Sequence, residues 1–282
     1  MKVLIFGAKG QLGTELCRMF ENDNELVAVD LPELDIADAQ GVEAIVLRNR
    51  PDLVINAAAY TDVERAEDDR ARAFAVNETG ARHVAAAAAR AGLPVVYYST
   101  DYVFFGAQDN MLEPEDPVMP RGAYAESKAA GEEATRAANT KHFILRTAWL
   151  YGPGGNNFVE KMLRAGETQA EVKGVRDEVG SPTHTFDLAE ATQALCRTAA
   201  YGTYHAVNRG QCSRYEFICE IFRLAGVTTP VTPCSMAEVP RKAPRPAFSA
   251  LSTRKLTDAC GYVMRPWREA LAHYMKRRKQ QA

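Results

Sequence analysis

The run Lys2-Val3-Leu4-Ile5-Phe6 ends at a glycine, continues as Gly7-Ala8-Lys9-Gly10-Gln11-Leu12-Gly13, and passes into an amphipathic stretch, Thr14 to Phe20. A short β-branched and aromatic run predicts a buried strand, and the periodic stretch after it predicts a helix. Strand, glycine turn and helix in that order restrict the N-terminal half to a βαβ architecture. They also supply the context that a dinucleotide-binding turn requires. Glycines let the backbone approach a pyrophosphate, whose charge rests on the N-terminal end of the following helix. Alone, the G-x-x-G-x-x-G spacing is a weak signal; between a first strand and a first helix it is a strong one.

The chain downstream keeps to that plan. Leu26 to Val29 predicts a second strand ending at Asp30, where a carboxylate can accept both hydroxyls of an adenosine ribose and repel a 2′-phosphate. Asp38 or a neighbour caps a helix to about Arg48, and Leu53-Val54-Ile55 forms the third strand. Asn56-Ala57-Ala58-Ala59 then places small residues at a strand's C-terminal end, the edge where open parallel sheets bind ligands. Asp62 to Arg72 reads as a solvated, charged helix face, and Phe74 to Ala91 as one long alanine-rich helix. Gly92 and Pro94 precede the strand Val95 to Tyr98, which delivers Ser99, Thr100 and Asp101 to the same edge. Glu113 to Pro120 is a loop, and Phe143 to Leu145 is a fifth strand.

Five strands alternating with helices predict an α/β fold, a Rossmann-type doubly wound parallel sheet. After Tyr151 the alternation loosens, which predicts a smaller C-terminal substrate lobe woven back into the first domain. The expected boundaries are 1–150 plus about 181–208 for the nucleotide-binding domain, and about 151–180 and 209–282 for the lobe.

Tyr124 and Lys128 lie four residues apart, so on a helix they share a face. A lysine ammonium about 4 Å from a phenol, at an effective dielectric of about 20, is worth roughly 4 kcal/mol, or about three pKa units towards phenolate. That would bring a tyrosine into the range of general acid–base work. A hydroxyl such as Thr100 would hold the oxygen on which the proton arrives.

Composition narrows the partners. Lys and Arg number 34 against 36 Asp and Glu, a net charge of −2, so no broad grip on nucleic acid or membrane is expected. No apolar run approaches the roughly 20 residues that span a bilayer. The six cysteines contain no C-x-x-C pair, so reduced thiols and a cytoplasmic location are expected, with no metal site.

Taken as an ordered set, the motifs resemble the extended short-chain dehydrogenase/reductases that act on nucleotide sugars. Within these the nearest resemblance is to the dTDP-4-dehydrorhamnose reductase family. The set comprises G-x-x-G-Q-L-G at 7–13, N-A-A-A-Y-T at 56–61, S-T-D-Y-V-F at 99–104, Y-x-x-S-K at 124–128, R-T-A-W-L-Y-G at 146–152, N-F at 157–158, G-S-P-T at 180–183 and R-P-x-x-S-x-L at 245–251. The resemblance implies reduction of a dTDP-4-ketosugar with hydride from NADH or NADPH. By the matched positions Tyr124 gives the proton, Lys128 lowers the pKa of Tyr124 and binds the nicotinamide ribose, and Thr100 hydrogen-bonds the substrate oxygen. Gly7, Gly10, Gln11, Leu12, Gly13, Asp30, Asp35, Ile36, Ala57, Ala58, Ala59 and Ser99 fall to the cofactor, with Asp35-Ile36 near its adenine. Thr61, Asp101, Tyr102 and Trp149 would line the sugar pocket, and Asn157 and Arg245 would face the nucleotide diphosphate. Asp30 favours NADH, while Lys9 offers a partner for a 2′-phosphate and keeps NADPH open.

Two positions depart from the family pattern: Ala125 stands where glycine is common, and Phe105 where aspartate is common. Some family members use magnesium, but no carboxylate cluster here has ligand spacing that supports it. A dehydratase would need a carboxylate where Tyr102 stands. An epimerase of a nucleotide 4-ketosugar, a reductase of another such sugar, and a non-catalytic regulatory subunit stay open, as does a homodimer.

Overall fold

The computed structural model describes residues 1–106, 110–154 and 157–281. A six-stranded parallel sheet forms its centre. Its strands are β1 (Lys2–Phe6), β2 (Glu25–Val29), β3 (Leu53–Asn56), β4 (Val95–Thr100), β5 (His142–Thr147) and Gly202–His205. Across the sheet they run β2-β1-β3-β4-β5 and then Gly202–His205, every pair parallel. The order reverses between β1 and β3, so the C-terminal ends of these two strands open a crevice.

Strands with helices on both sides bury both faces and read as continuous apolar runs. Val3, Leu4 and Ile5, and Leu53, Val54 and Ile55, accordingly have at most 1 % exposure. One face packs Leu12, Leu16 and Phe20 of the helix Gln11–Phe20 together with Leu188 and Leu195 of the helix Thr185–Cys196. The other packs Val42 and Val46 of the helix Ala39–Asn49 with Val84, Ala85 and Ala88. Each such aliphatic side chain contributes about 1.5–3 kcal/mol by leaving water. A third core, around Tyr151, Val159, Phe217, Ile221, Trp267 and Tyr274, joins the helices Phe158–Thr168, Arg214–Ala225 and Trp267–Gln281. All six cysteines are free.

Two segments differ from the sequence expectation. The alanine-rich stretch is not one helix: Arg70–Phe74 passes into a π-helical turn, Ala75–Gly80, and then into the helix Ala81–Arg90. The widened turn aims Asn77 inward. Its side chain accepts from Tyr60 N and donates to Tyr60 O and Ser127 Oγ, while its carbonyl accepts from the Tyr97 hydroxyl. The charged stretch 62–72 is also no simple solvated face. Glu64 pairs with Arg245, Arg72 with Asp35 and Arg70 with Glu126, and Lys242 bonds to Asp68.

The helix Ala123–Ala138, which carries Tyr124 and Lys128, lies against β4 and the π-helical turn. A Cβ on Gly131 would stand 2.1 Å from Asn77 O and 2.2 Å from the Tyr97 hydroxyl, so only glycine permits this approach. Farther along, Glu132 receives Arg146 of β5 through Nε and Nη2, both at 2.8 Å. Both side chains are buried. Burial opposes ionisation of Glu132, but Arg146, with help from Arg136, outweighs it and holds the carboxyl below its ordinary pKa. Glu132→Gln strands a buried guanidinium, and urea denaturation should show a loss of about 3–5 kcal/mol. A loss under about 1 kcal/mol, the range of exposed pairs, would contradict this reading.

Candidate active site

A cleft of about 870 Å³ opens at the C-terminal ends of β1, β2, β3 and β4. It gathers most of the residues singled out in the sequence: Gly7, Gly10, Gln11, Leu12, Asp30, Asp35, Ile36, Ala57, Ala58, Ala59, Thr61, Ser99, Thr100, Asp101, Tyr124, Lys128, Trp149 and Asn157. Gly13, Tyr102 and Arg245 are not on its wall.

The glycine turn is built by close approach. Gly7 has φ +78°, and a Cβ there would lie 2.4 Å from Ala58 N. Gly13 sits behind the turn, where a Cβ would stand 1.9 Å from Gly7 O; it lets the helix close on the turn and does not face the cleft. Gly10 is different, since a Cβ would meet only Gly7 O, at 3.3 Å. It is also the N-cap of the helix Gln11–Phe20 and gives that helix no side-chain cap. The first amides of the helix are thereby left for an external acceptor.

At the end of β2, Asp30 accepts from Lys9 N and Leu31 N, both at 2.7 Å, which fixes the carboxylate on the rim. Lys9 Nζ donates to Leu31 O at 3.0 Å and stands on the same rim. Asp35 accepts from Ala37 N at 3.0 Å and pairs with Arg72 at 2.7 Å. Arg72 lines the cleft and was hidden in the sequence among the charges of the stretch 62–72. Only a chain fold that brings 72 beside 35 reveals it.

The chemistry-bearing end is buried. Thr100 is 6 % exposed, Asp101 2 % and Lys128 3 %. The Thr100 hydroxyl donates to Asp101 Oδ1 at 3.1 Å, and Ser249 Oγ donates to Asp101 Oδ2 at 2.6 Å. Ser127 Oγ donates to Tyr124 O at 2.8 Å, locking the first turn of its helix. Ala123 N, one residue before Tyr124, donates to Glu67 at 2.8 Å, so a distant carboxylate caps this helix.

The expected depression of the Tyr124 pKa by Lys128 is absent from this arrangement. Lys128 Nζ donates to Tyr98 O and lies 4.2 Å from the centre of the Tyr97 ring. Burial pulls Lys128 down to about 7 against the opposing pull of Glu132. Burial likewise pushes the Tyr124 phenol above its ordinary value; a hydrogen bond with Thr100 lowers it, and the Asp101 charge raises it. The physical reason is desolvation, which here exceeds a charge effect reckoned from helix spacing alone.

Tyr102, expected on the sugar pocket, instead meets Tyr124 edge-on with ring centres 6.0 Å apart. Arg245, expected at the diphosphate, pairs with Glu64 at 2.7 Å and lies 5.3 Å over the Tyr102 ring. Asn157 caps the helix Phe158–Thr168 and donates to Gly152 O at 2.8 Å, so its place on the wall is also structural. Trp149 does line the cleft, with φ +45°. Among the described residues no group of three or more His, Cys, Asp or Glu could hold a metal ion, and no helix is long and apolar enough to cross a membrane.

Comparison with known proteins agrees with the fold. The family described as RmlD substrate binding domain matches residues 1–280. A dTDP-4-dehydrorhamnose reductase of Mycobacterium tuberculosis is 42 % identical over 279 residues, covering 96 % of this chain and 91 % of that protein. The spore coat polysaccharide biosynthesis protein SpsK of Bacillus subtilis is also 42 % identical, covering 98 % of each. The crystal structure of dTDP-4-dehydrorhamnose reductase from Bacillus anthracis in complex with NADP is 38 % identical. It superposes with a TM-score of 0.94 over 98 % of this chain and 99 % of that one.

Asp101, on the same wall, holds its charge at a disadvantage. Burial pushes it up to about 6, against the hydrogen bonds of Ser249 and Thr100 and the charge of Arg214. A carboxyl raised in the folded state favours folding below its unfolded pKa and loses that contribution as pH climbs through the folded value. The stability of the wild type relative to Asp101→Asn should therefore fall by about 3 kcal/mol between pH about 4 and about 6. Denaturation curves across that range test it, and a difference that does not change with pH would refute the buried charge.

Proposed function

By a match along nearly its whole length this chain belongs to the dTDP-4-dehydrorhamnose reductase family, and we propose that it reduces the 4-keto group of dTDP-4-dehydro-6-deoxy-L-mannose to give dTDP-L-rhamnose. It is an oxidoreductase that uses a nicotinamide cofactor. The observation that carries the site reading is the meeting of Thr100, Tyr124 and Lys128 on one wall of the cleft whose other end is the glycine turn.

The cleft fits the cofactor. Gly10 leaves the helix N-terminus open to a pyrophosphate, Asp30 presents a fixed carboxylate to ribose hydroxyls, and Ala57 to Ala59 leave room beside the backbone. When bound, NAD(P)H supplies the hydride that converts the carbonyl carbon to the alcohol carbon. The Asp30 carboxylate supports NADH, and Lys9 on the same rim supports a 2′-phosphate, so we assign both forms with NADH preferred.

Tyr124 donates its phenolic proton to the oxygen as negative charge develops there. The phenol is protonated at neutral pH; burial raises its pKa and so weakens it as an acid, a handicap that positive charge on Lys128 offsets as the phenolate forms. The Thr100 hydroxyl, in contact with Tyr124, gives its single proton to the same oxygen by turning away from Asp101 Oδ1. Lys128, poised near neutrality, gains positive charge at little expense, favours the phenolate left behind and reaches the nicotinamide ribose. Trp149 and Asp101 bound the sugar, and residues from about 151–180 and 209–282 form the substrate-binding lobe.

Tyr124→Phe keeps the ring and removes the proton. Turnover should fall about a hundredfold to ten-thousandfold while the dissociation constant for NADH, read by fluorescence titration, stays unchanged. Unaltered turnover would take the proton-donor role from Tyr124.

A further inference from the structure

Trp149 has a backbone φ of +45°, a conformation rare for any residue but glycine and asparagine. A bulky side chain stays in that region only where its surroundings hold it there. Two neighbours do so. Gly180 makes room for the indole, since a Cβ there would lie 2.6 Å from Trp149 Cε2. The Arg214 guanidinium lies over the indole with its central carbon 3.4 Å from the ring centre.

Arg214 is itself immobilised. It is the first residue of the helix Arg214–Ala225, whose N-cap Ser213 forms a capping box with Glu216. Its Nε donates to Glu178 Oε1 at 2.9 Å, and the same buried carboxylate takes Arg241 through Oε2 at 2.5 Å. The guanidinium edge is thus committed to Glu178 while its face lies on Trp149. A planar group can serve both at once, and a lysine ammonium cannot. The chain from Arg241 through Glu178 and Arg214 to Trp149 ends on the wall of the cleft that also holds Thr100 and Tyr124.

We propose that Arg214 is a positioning residue: it fixes the attitude of the Trp149 indole, and through it the fit of the ketosugar ring. This rests on the reductase reading for its substrate but not for its first measurement. The chain has two tryptophans, so Trp267→Phe leaves Trp149 as the single tryptophan, read by excitation to the red of tyrosine absorption. In that background Arg214→Met should shift the Trp149 emission and raise its quenching by acrylamide, with no ligand present. Arg214→Lys, which keeps the charge and not the plane, should do the same, and it supplies the reading if the methionine variant does not fold.

In turnover, Arg214→Met should raise the KM for the dTDP-4-ketosugar up to about tenfold, the cost of ordering on binding a side chain that the free protein no longer holds. The KM for NADH should not move. Combined with Trp149→Phe, the Arg214 change should add little further. Unchanged emission and quenching would overturn the proposal, as would effects of the two substitutions that simply multiply. If the wild type turned over no 4-ketosugar, the reductase reading would fail while the emission measurement still judged Arg214.

Discussion

The Glu132 carboxylate, buried with its two oxygens on Arg146, fixes where the reacting groups stand. Arg146 belongs to the strand β5 and Glu132 to the helix of Tyr124 and Lys128, so the pair sets the depth of that helix against the sheet. Two buried charges are expensive unless their geometry and remaining bonds are good, and here Arg146 also donates to Pro114 O at 3.0 Å. The same carboxylate is the charge that favours the protonated form of Lys128. Its ionisation therefore links the packing of the helix to the electrostatics of its reacting face.

Around that anchor, contacts of long sequence separation complete the site. Asn77, swung inward by the π-helical turn, ties Tyr60, Ser127 and Tyr97 into one network. Glu67 caps the helix of Tyr124, and Glu64 holds Arg245 and accepts from Lys242 N at 2.9 Å. The charged stretch 62–72 is thus stitched to the segment 242–245 on one side and to the Tyr124 helix on the other. Charges that look solvated in a linear reading act as struts because their partners come from elsewhere in the chain.

That contrast explains what the sequence shows and what it hides. The strand, glycine turn and helix of residues 2–20, the carboxylate at Asp30 and the alanines at 57–59 are legible because each depends on neighbours within one βα unit. The pairing of Gly202–His205 with β5, far apart in sequence, is instead a long-range contact. The π-helical turn was not legible, since an alanine-rich run carries no local signal for the extra residue that Asn77 requires. Arg72, Arg214 and Glu178 were not legible either, because their roles come from partners 37 and 36 residues away or from the ring of Trp149. Tyr124 and Lys128 show the limit most clearly. Their spacing placed both on one wall, but desolvation and the Tyr98 carbonyl set the electrostatics, which spacing alone does not report.

The central claim is that this cleft delivers a hydride and the Tyr124 proton to a nucleotide-linked ketone. The most direct test is to mix purified protein with dTDP-4-dehydro-6-deoxy-L-mannose and NADH, follow loss of reduced-nicotinamide absorbance, and identify the product. The account predicts stoichiometric oxidation with formation of dTDP-L-rhamnose, and oxidation with NADPH at lower efficiency. Protein that binds NADH yet oxidises it with neither this ketosugar nor any other dTDP-4-ketosugar would contradict it.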